Sequence, residues 1–194
     1  TEKLSIKRSD DFDEDCLAPQ WQWNYQPRKD YFSLTERPGW LRLKAYRPLE
    51  TNNLLKAGNT LTQRTFRKQN NDVTIKMDIS NMQDGQKNGL CHFSSQHSAI
   101  GIVKEEDACY LEYRKNGNIT KGIQIHSEFV WFRTEWGMDG KSQYYYSLDG
   151  DNFLPFGEKY QLTWGNYRGD RIGIYCFNDK KETGSVDVDY CHYR

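Results

Sequence analysis

Glu112 and Glu135, two acidic residues on strand-like segments, are the first candidates for chemistry in this 194-residue chain. Cleaving a glycosidic bond needs two carboxyl groups about 5–10 Å apart, one of them kept protonated by its surroundings. A Glu-x-Asp-x-x-Glu arrangement on one strand would supply them, and the chain has none. Gly-x-Ser-x-Gly, His-Glu-x-x-His and a phosphate-binding loop are also missing. The four histidines, His92, His97, His126 and His192, are scattered and suggest no metal cage. Five cysteines cannot all pair, and no Cys-x-x-Cys occurs, so they read as small buried hydrophobes in the reduced state. Glu112 and Glu135 are therefore expected to be solvated or ion-paired, and the chain is not expected to be catalytic by itself.

Sugar recognition suits the residues better. A pyranose ring presents an apolar C–H face to an aromatic ring, and its hydroxyls need polar partners. Alternation along Phe129-Val-Trp-Phe-Arg-Thr-Glu-Trp136 puts Trp131, Arg133 and Glu135 on one side with Phe129. Val130, Phe132 and Thr134 then face a core. The first set reads either as a saccharide platform or as a ring covered at a domain interface beside a surface ion pair. Trp21, Trp23 and Tyr25 alternate as well. Their row suits core packing or domain docking, with direct glycan contact as the alternative. No cofactor is required by any motif. A structural calcium would draw on Asp11, Asp187 or Asp189, although no ligand loop is recognisable.

These side chains need strands to place them. Val73, Ile75, Met77 and Ile79 alternate with Thr74, Lys76 and Asp78, and the same two-residue period recurs through Ala108–Arg114. Further strand-like runs cover 40–45, 90–95, 99–104, 122–126, 129–136, 143–148, 171–177 and 186–193. Turn signals separate them, among them Asp84-Gly85, Asn116-Gly117 and Asp149-Gly150. No segment carries a 3.6-residue apolar stripe, so the expectation is two packed antiparallel sheets in one domain over residues 1–194. Aromatic residues make up 14% of the chain, which suits both pleated strands and ligand platforms. The 27 basic and 27 acidic residues cancel, so no net field draws in nucleic acid or an anionic membrane. The run Arg64, Arg67, Lys68 reads as a solvated face. No stretch approaches the roughly 20 apolar residues of a membrane span. A start at Thr1, with neither Met nor an apolar leader, implies a processed chain or a fragment.

An ordered series of boxes carries a resemblance. Asp10-Asp11-Phe12-Asp13 leads to Trp21-Gln-Trp-Asn-Tyr-Gln-Pro27. Ser33-Leu-Thr-Glu-Arg-Pro-Gly-Trp-Leu-Arg-Leu43 is followed by Asn59-Thr-Leu-Thr-Gln-Arg64. Tyr146-Ser-Leu-Asp-Gly150 with Phe153 precedes Gly169-Asp-Arg-Ile-Gly-Ile174 and Val186-Asp-Val-Asp-Tyr190. On these residues the chain resembles, over about 10–193, the C-terminal accessory domain that follows the catalytic propeller of bacterial family-43 β-xylosidases. The resemblance implies a concanavalin A-like jelly-roll β-sandwich of two antiparallel sheets. It also implies a non-catalytic part of a glycoside hydrolase of the β-xylosidase/α-arabinofuranosidase class. Its partners would be the propeller and xylo- or arabino-oligosaccharides, and its place the periplasm or the medium in preference to the cytoplasm.

In that family an aromatic from the loop before the Gly-x-Arg-x-Gly strand helps wall the propeller's pocket. Tyr167 would inherit this role, with Trp164 bracing the same loop. Two departures stand out. The family's Trp-Asn-His-Asn-Pro loop is here Trp23-Asn-Tyr-Gln-Pro27, and its Phe-Thr-Gly loop is Asn166-Tyr-Arg-Gly169. The alternative function is an autonomous xylan-binding module with Trp131 or Trp21 exposed.

Overall fold

The computed structural model describes residues 8–163 and 170–194, and strands dominate them. In chain order they are β1 (Gln22–Trp23), β2 (Phe32–Ser33), β3 (Leu41–Lys44), β4 (Thr60–Arg64), β5 (Asn71–Asp78), β6 (Gln86–Phe93) and β7 (His97–Glu105). There follow β8 (Ala108–Lys115), β9 (Asn118–Ile125), β10 (Phe129–Trp136), β11 (Lys141–Ser147), β12 (Leu154–Gln161), β13 (Arg171–Asn178) and β14 (Ser185–Tyr193). Only two single-turn 3₁₀ segments, Lys29–Tyr31 and Leu54–Lys56, interrupt them among the described residues. The strands form two seven-stranded antiparallel sheets. A front sheet runs β12-β11-β10-β5-β14-β3-β2, and a back sheet runs β1-β4-β13-β6-β7-β8-β9. The chain crosses between the sheets repeatedly, so neither can form without the other, as in a jelly roll.

The main core lies where the inner faces meet. Leu41, Leu43, Val73, Ile75, Met77, Val130 and Phe132 come from the front sheet, and Leu61, Leu90, Ile100, Leu111, Ile172 and Ile174 from the back. Val130, Phe132 and Thr134 are all fully buried, and Trp131, Arg133 and Glu135 point the other way, as a two-residue period requires. The tyrosine triplet splits too: Tyr144 is buried, and its neighbour Tyr145 lies on the outer face.

The back sheet departs from simple alternation. β6, β7 and β13 are buried on both faces. A second apolar cluster of Leu54, Ala57, Cys91, Phe93, Ala99, Tyr175 and Phe177 lies on their outer side, under the segment between Tyr46 and Asn59. Tyr175, Gly89 and Gly101 are partners across three adjacent strands. A Cβ at Gly101 would collide with the Tyr175 hydroxyl. Glycine there lets the ring lie flat on the sheet. The thiols of Cys91, Cys176 and Cys191 are buried and unpaired, whereas Cys16 is exposed rather than buried.

Candidate functional site

On the front sheet's outer face the register sets side chains in rows. Asp72, Glu135 and Gln143 form one row, Thr74, Arg133 and Tyr145 the next, and Lys76, Trp131 and Ser147 a third. β14 extends two of these rows, placing His192 beside Thr74 and Tyr190 beside Lys76. The Tyr190 and His192 rings stack at 3.9 Å, and His192 Nε2 lies 2.8 Å from Asp11 Oδ1.

Within this grid Trp131 is a braced ring. Its Nε1–H donates to the Tyr190 hydroxyl at 3.0 Å, and Gly150 packs so close that a Cβ would stand 2.9 Å from the indole. Lys76 Nζ sits 5.4 Å from the Trp131 ring and 4.7 Å from Phe129, within cation–π reach. Arg133 donates its Nε–H to Thr74 Oγ1 at 2.9 Å, and its guanidinium covers the Phe153 ring at 3.9 Å. Glu135 has Arg133 4.0 Å away and shares a side-chain hydrogen bond with the Tyr145 hydroxyl. Trp131, Arg133 and Glu135 thus share one face, but Trp131 and Arg133 are engaged by protein groups on that face.

Farther along the sheet the aspartates are taken by arginines. Asp187 accepts from Arg42 at 2.8 and 3.0 Å and from Arg37 at 3.1 Å, and Arg37 also reaches Asp78 at 2.7 Å. Burial pushes the Asp78 carboxyl up, but hydrogen bonds from Ser80 and Arg37 outweigh it and hold the group below its ordinary range. Asp189 faces Lys76, and Asp11 faces His192. The three aspartates considered for calcium therefore each have a cationic or imidazole partner. Among the described residues no three His, Cys, Asp or Glu side chains converge on a metal position.

The row expected from Trp21, Trp23 and Tyr25 does not exist. β1 is only two residues long, so strand alternation does not extend across the five positions. Trp21 belongs to the core, stacked on Phe12 at 6.0 Å and donating its Nε1–H to Asp10 at 2.8 Å. Trp23 is half-buried against Phe32 at 4.7 Å, and only Tyr25 is exposed. Tyr167 and Trp164 lie outside the described residues.

Glu112 and Glu135 sit on opposite outer surfaces, with both sheets between them, so they cannot flank one glycosidic bond. Glu112 is buried between Lys87 at 3.3 Å and Arg114 at 3.7 Å. Arg114, only 1% exposed, donates to the Asn52 carbonyl at 2.6 Å and to its Oδ1 at 2.5 Å. These bonds pin the covering segment to the back sheet.

One constellation escaped sequence reasoning. His92 Nε2 lies 2.7 Å from Thr134 Oγ1, and its Nδ1 is 3.6 Å from Asp170 Oδ1. Hydroxyl, imidazole and carboxylate follow one another in the order of a nucleophile relay. Thr134 and His92 are fully buried, so no substrate carbonyl can reach the hydroxyl. The residues instead tie the two sheets together. Asp170 Oδ2 also accepts the Thr163 N–H at 3.2 Å, while Thr163 Oγ1 meets Ser94 Oγ at 2.6 Å. The two ends of the 164–169 segment are thereby clasped. A hydroxyl on β10, an imidazole on β6 and a carboxylate before β13 meet only through the fold, with no local motif to announce them.

Comparison with known proteins agrees with this architecture. Residues 9–194 match the β-xylosidase C-terminal concanavalin A-like domain. A β-xylosidase of Formosa agariphila is 35% identical over 96% of this chain and 35% of its own length. A putative β-xylosidase of Xylanibacter ruminicola is 31% identical over 84% of the chain and 30% of its own length. Among solved structures, a bifunctional GH43-CE protein of Bacteroides eggerthii superposes with a TM-score of 0.86 at 29% identity, over 96% of this chain and 25% of that one. The chain thus spans about a third of the length of the two β-xylosidase relatives. With the paired sheets, the ordered boxes and the match over nearly every residue, the chain belongs to the C-terminal concanavalin A-like domain family of β-xylosidases.

Proposed function

We propose that this chain is a non-catalytic accessory domain that packs on the propeller of a family-43 glycosidase and helps shape its pocket for xylan-derived oligosaccharides. The clasp at residues 163 and 170 carries the reading. It brings the two ends of the segment containing Tyr167 together at one place on the rim of the sandwich. A segment so tethered suits delivery of one ring to a neighbour's pocket. The ring would wall the pocket and exclude water, which strengthens electrostatic interactions at the partner's carboxylates. The hydroxyl of Tyr167 adds a donor and acceptor that a phenylalanine lacks. The wide separation of Glu112 and Glu135 supports leaving the acid–base chemistry to the partner.

The test is Tyr167→Ala in the intact enzyme. The expected result is a fall of about tenfold in kcat/KM for xylobiose, with most activity restored in Tyr167→Phe. Unchanged kinetics in Tyr167→Ala would remove the assigned role.

A further inference from the structure

One end of the sandwich combines apolar and cationic side chains. Arg64 closes β4 there, Phe66 and Lys68 follow it, and Met138 stands in the turn from β10 to β11. Close contacts hold these segments together. Trp136 Nε1–H donates to the Phe66 carbonyl at 3.0 Å, and the Phe66 N–H donates to the Tyr193 hydroxyl at 2.9 Å. Gly137 lies so near Gln69 that a Cβ would stand 2.9 Å from its carbonyl oxygen. Phe66 is half-buried, and Met138 is 52% exposed. Aromatic rings, Met and Arg are the residues in which protein–protein contacts are enriched.

The cations at this end lack carboxylate partners. Elsewhere Arg28 pairs with Glu182, Arg37 and Arg42 with Asp187, Arg114 with Glu112 and Arg133 with Glu135. Arg8, Arg64 and Lys68 make no ion pair with a described residue. The Arg8 guanidinium instead lies 3.6 Å from the centre of the Phe66 ring and 5.3 Å from that of Tyr193. Of the carboxylates at this end, Asp170 is buried, Asp139 accepts the Lys141 N–H of its own turn, and Asp72 belongs to the front face. The chain is neutral as a whole, yet it carries here a positive patch that an acidic surface would match.

The path of the chain says what covers the patch. The matched domain is a C-terminal one, so in the β-xylosidases that carry it most of the polypeptide lies before the residue aligned with Ser9. Arg8 and Ser9 are fixed within this same end. The Arg8 carbonyl accepts from Gln63 at 3.2 Å, Ser9 Oγ donates to the Tyr193 carbonyl at 3.1 Å, and Asp10 and Cys191 exchange backbone bonds at 2.8 Å. A domain tethered at Arg8 meets the patch at high effective concentration, so modest complementarity suffices to seat it. We propose that this end of the sandwich is the docking surface for the catalytic part of the same polypeptide. Phe66 and Met138 supply its apolar contact, and Arg8, Arg64 and Lys68 face an acidic surface on that partner. The inference rests on the packing reading above and adds where the packing occurs and by what chemistry. It needs nothing from Tyr167.

Hydrogen exchange of the intact enzyme, read on the peptide spanning residues 136–141, tests it. Arg64→Glu combined with Lys68→Glu should speed exchange of that peptide about tenfold. Salt at about 1 M should act on the parent in the same direction and add little to the double variant. The control is Lys29→Glu combined with Lys181→Glu, exposed residues at the far end beside the Arg28–Glu182 pair, which should change nothing. Arg64→Gln combined with Lys68→Gln should give an intermediate rate. Near-UV circular dichroism checks the folding of each variant, and the Gln pair carries the test if the Glu pair unfolds. The surface is overturned if reversal leaves exchange within about twofold of the parent, or if the far-end pair speeds it equally. Small-angle scattering of the parent reports on packing by itself. An extended two-body profile would remove the packing reading, whereas a compact profile with an indifferent patch would overturn this surface alone.

Discussion

The two outer faces of this sandwich are finished in opposite ways. The back face is closed by the chain itself: Leu54 and Ala57 lie over Phe93, Tyr175 and Phe177, and a buried Lys87–Glu112–Arg114 cluster is tied to Asn52. The front face is left open, and its rings and charges hold one another in a grid of half-buried contacts. A sheet face that a protein covers with its own chain serves stability. A face built of aromatics and charges but left uncovered is available to partners and ligands. Charged residues occur on both faces, so residue type alone does not distinguish them.

This contrast can be broken by experiment, and the largest effect belongs to the back. Arg114→Ala leaves the Asn52 carbonyl and Oδ1 without their buried donor, and leaves Glu112 with Lys87 alone. A loss of about 3–5 kcal/mol in urea unfolding is expected from two buried hydrogen bonds to a charged donor. A loss below about 1 kcal/mol would mean that the covering segment is held by its apolar contacts alone.

A somewhat smaller effect comes from His97, which lies on the same side with Nε2 buried and unpartnered. Burial, aided by the charge of Arg114, pulls its pKa down to about 4. The unfolded chain takes up this proton near pH 6.5 and the folded chain only near 4. Stability from this group is therefore fully present above pH 6.5 and declines as the pH falls toward 4, by at most about 3 kcal/mol. Urea unfolding at pH 7 and pH 4.5 should show a smaller acid loss in His97→Gln than in the parent. Equal losses would assign the acid sensitivity to other groups.

The smallest effect is on the front. Lys76→Ala removes a cation from Phe129 and Trp131 and a partly exposed ion pair with Asp189. The expected cost is about 1 kcal/mol or less. A larger value would show the front grid to be a stabilising element, and the contrast between the faces would weaken.

Legibility followed the same division. Where one face of a strand is buried and the other open, the residues alternate visibly. Phe129–Trp136 was bounded correctly, and the grouping of Trp131, Arg133 and Glu135 followed. β12 escaped notice because Pro155 and Gly157 interrupt its pattern, which an edge strand tolerates. The common row of Trp21, Trp23 and Tyr25 fails because strand alternation ends with the two-residue β1, although core packing was the use that row suited first. The burial of Glu112 and Arg114 depends on a segment about 60 positions earlier in the chain, and no local pattern reports that. The family boxes reached the fold directly, because ordered motifs along nearly the whole chain constrain more than any periodicity.

The seat of Tyr175 at Gly101 also bears on the order of assembly. Residues 91–99 and 175–177 must both be in place before Leu54 and Ala57 of the covering segment have anything to rest on, and β13 enters the sheet between β4 and β6. Contacts so distant in sequence are costly to close early in folding. The segment from Tyr46 to Asn59 is therefore expected to dock late and open early. Its amides should form a separate, less protected unit in native-state hydrogen exchange, opening while the main core of the sandwich stays shut.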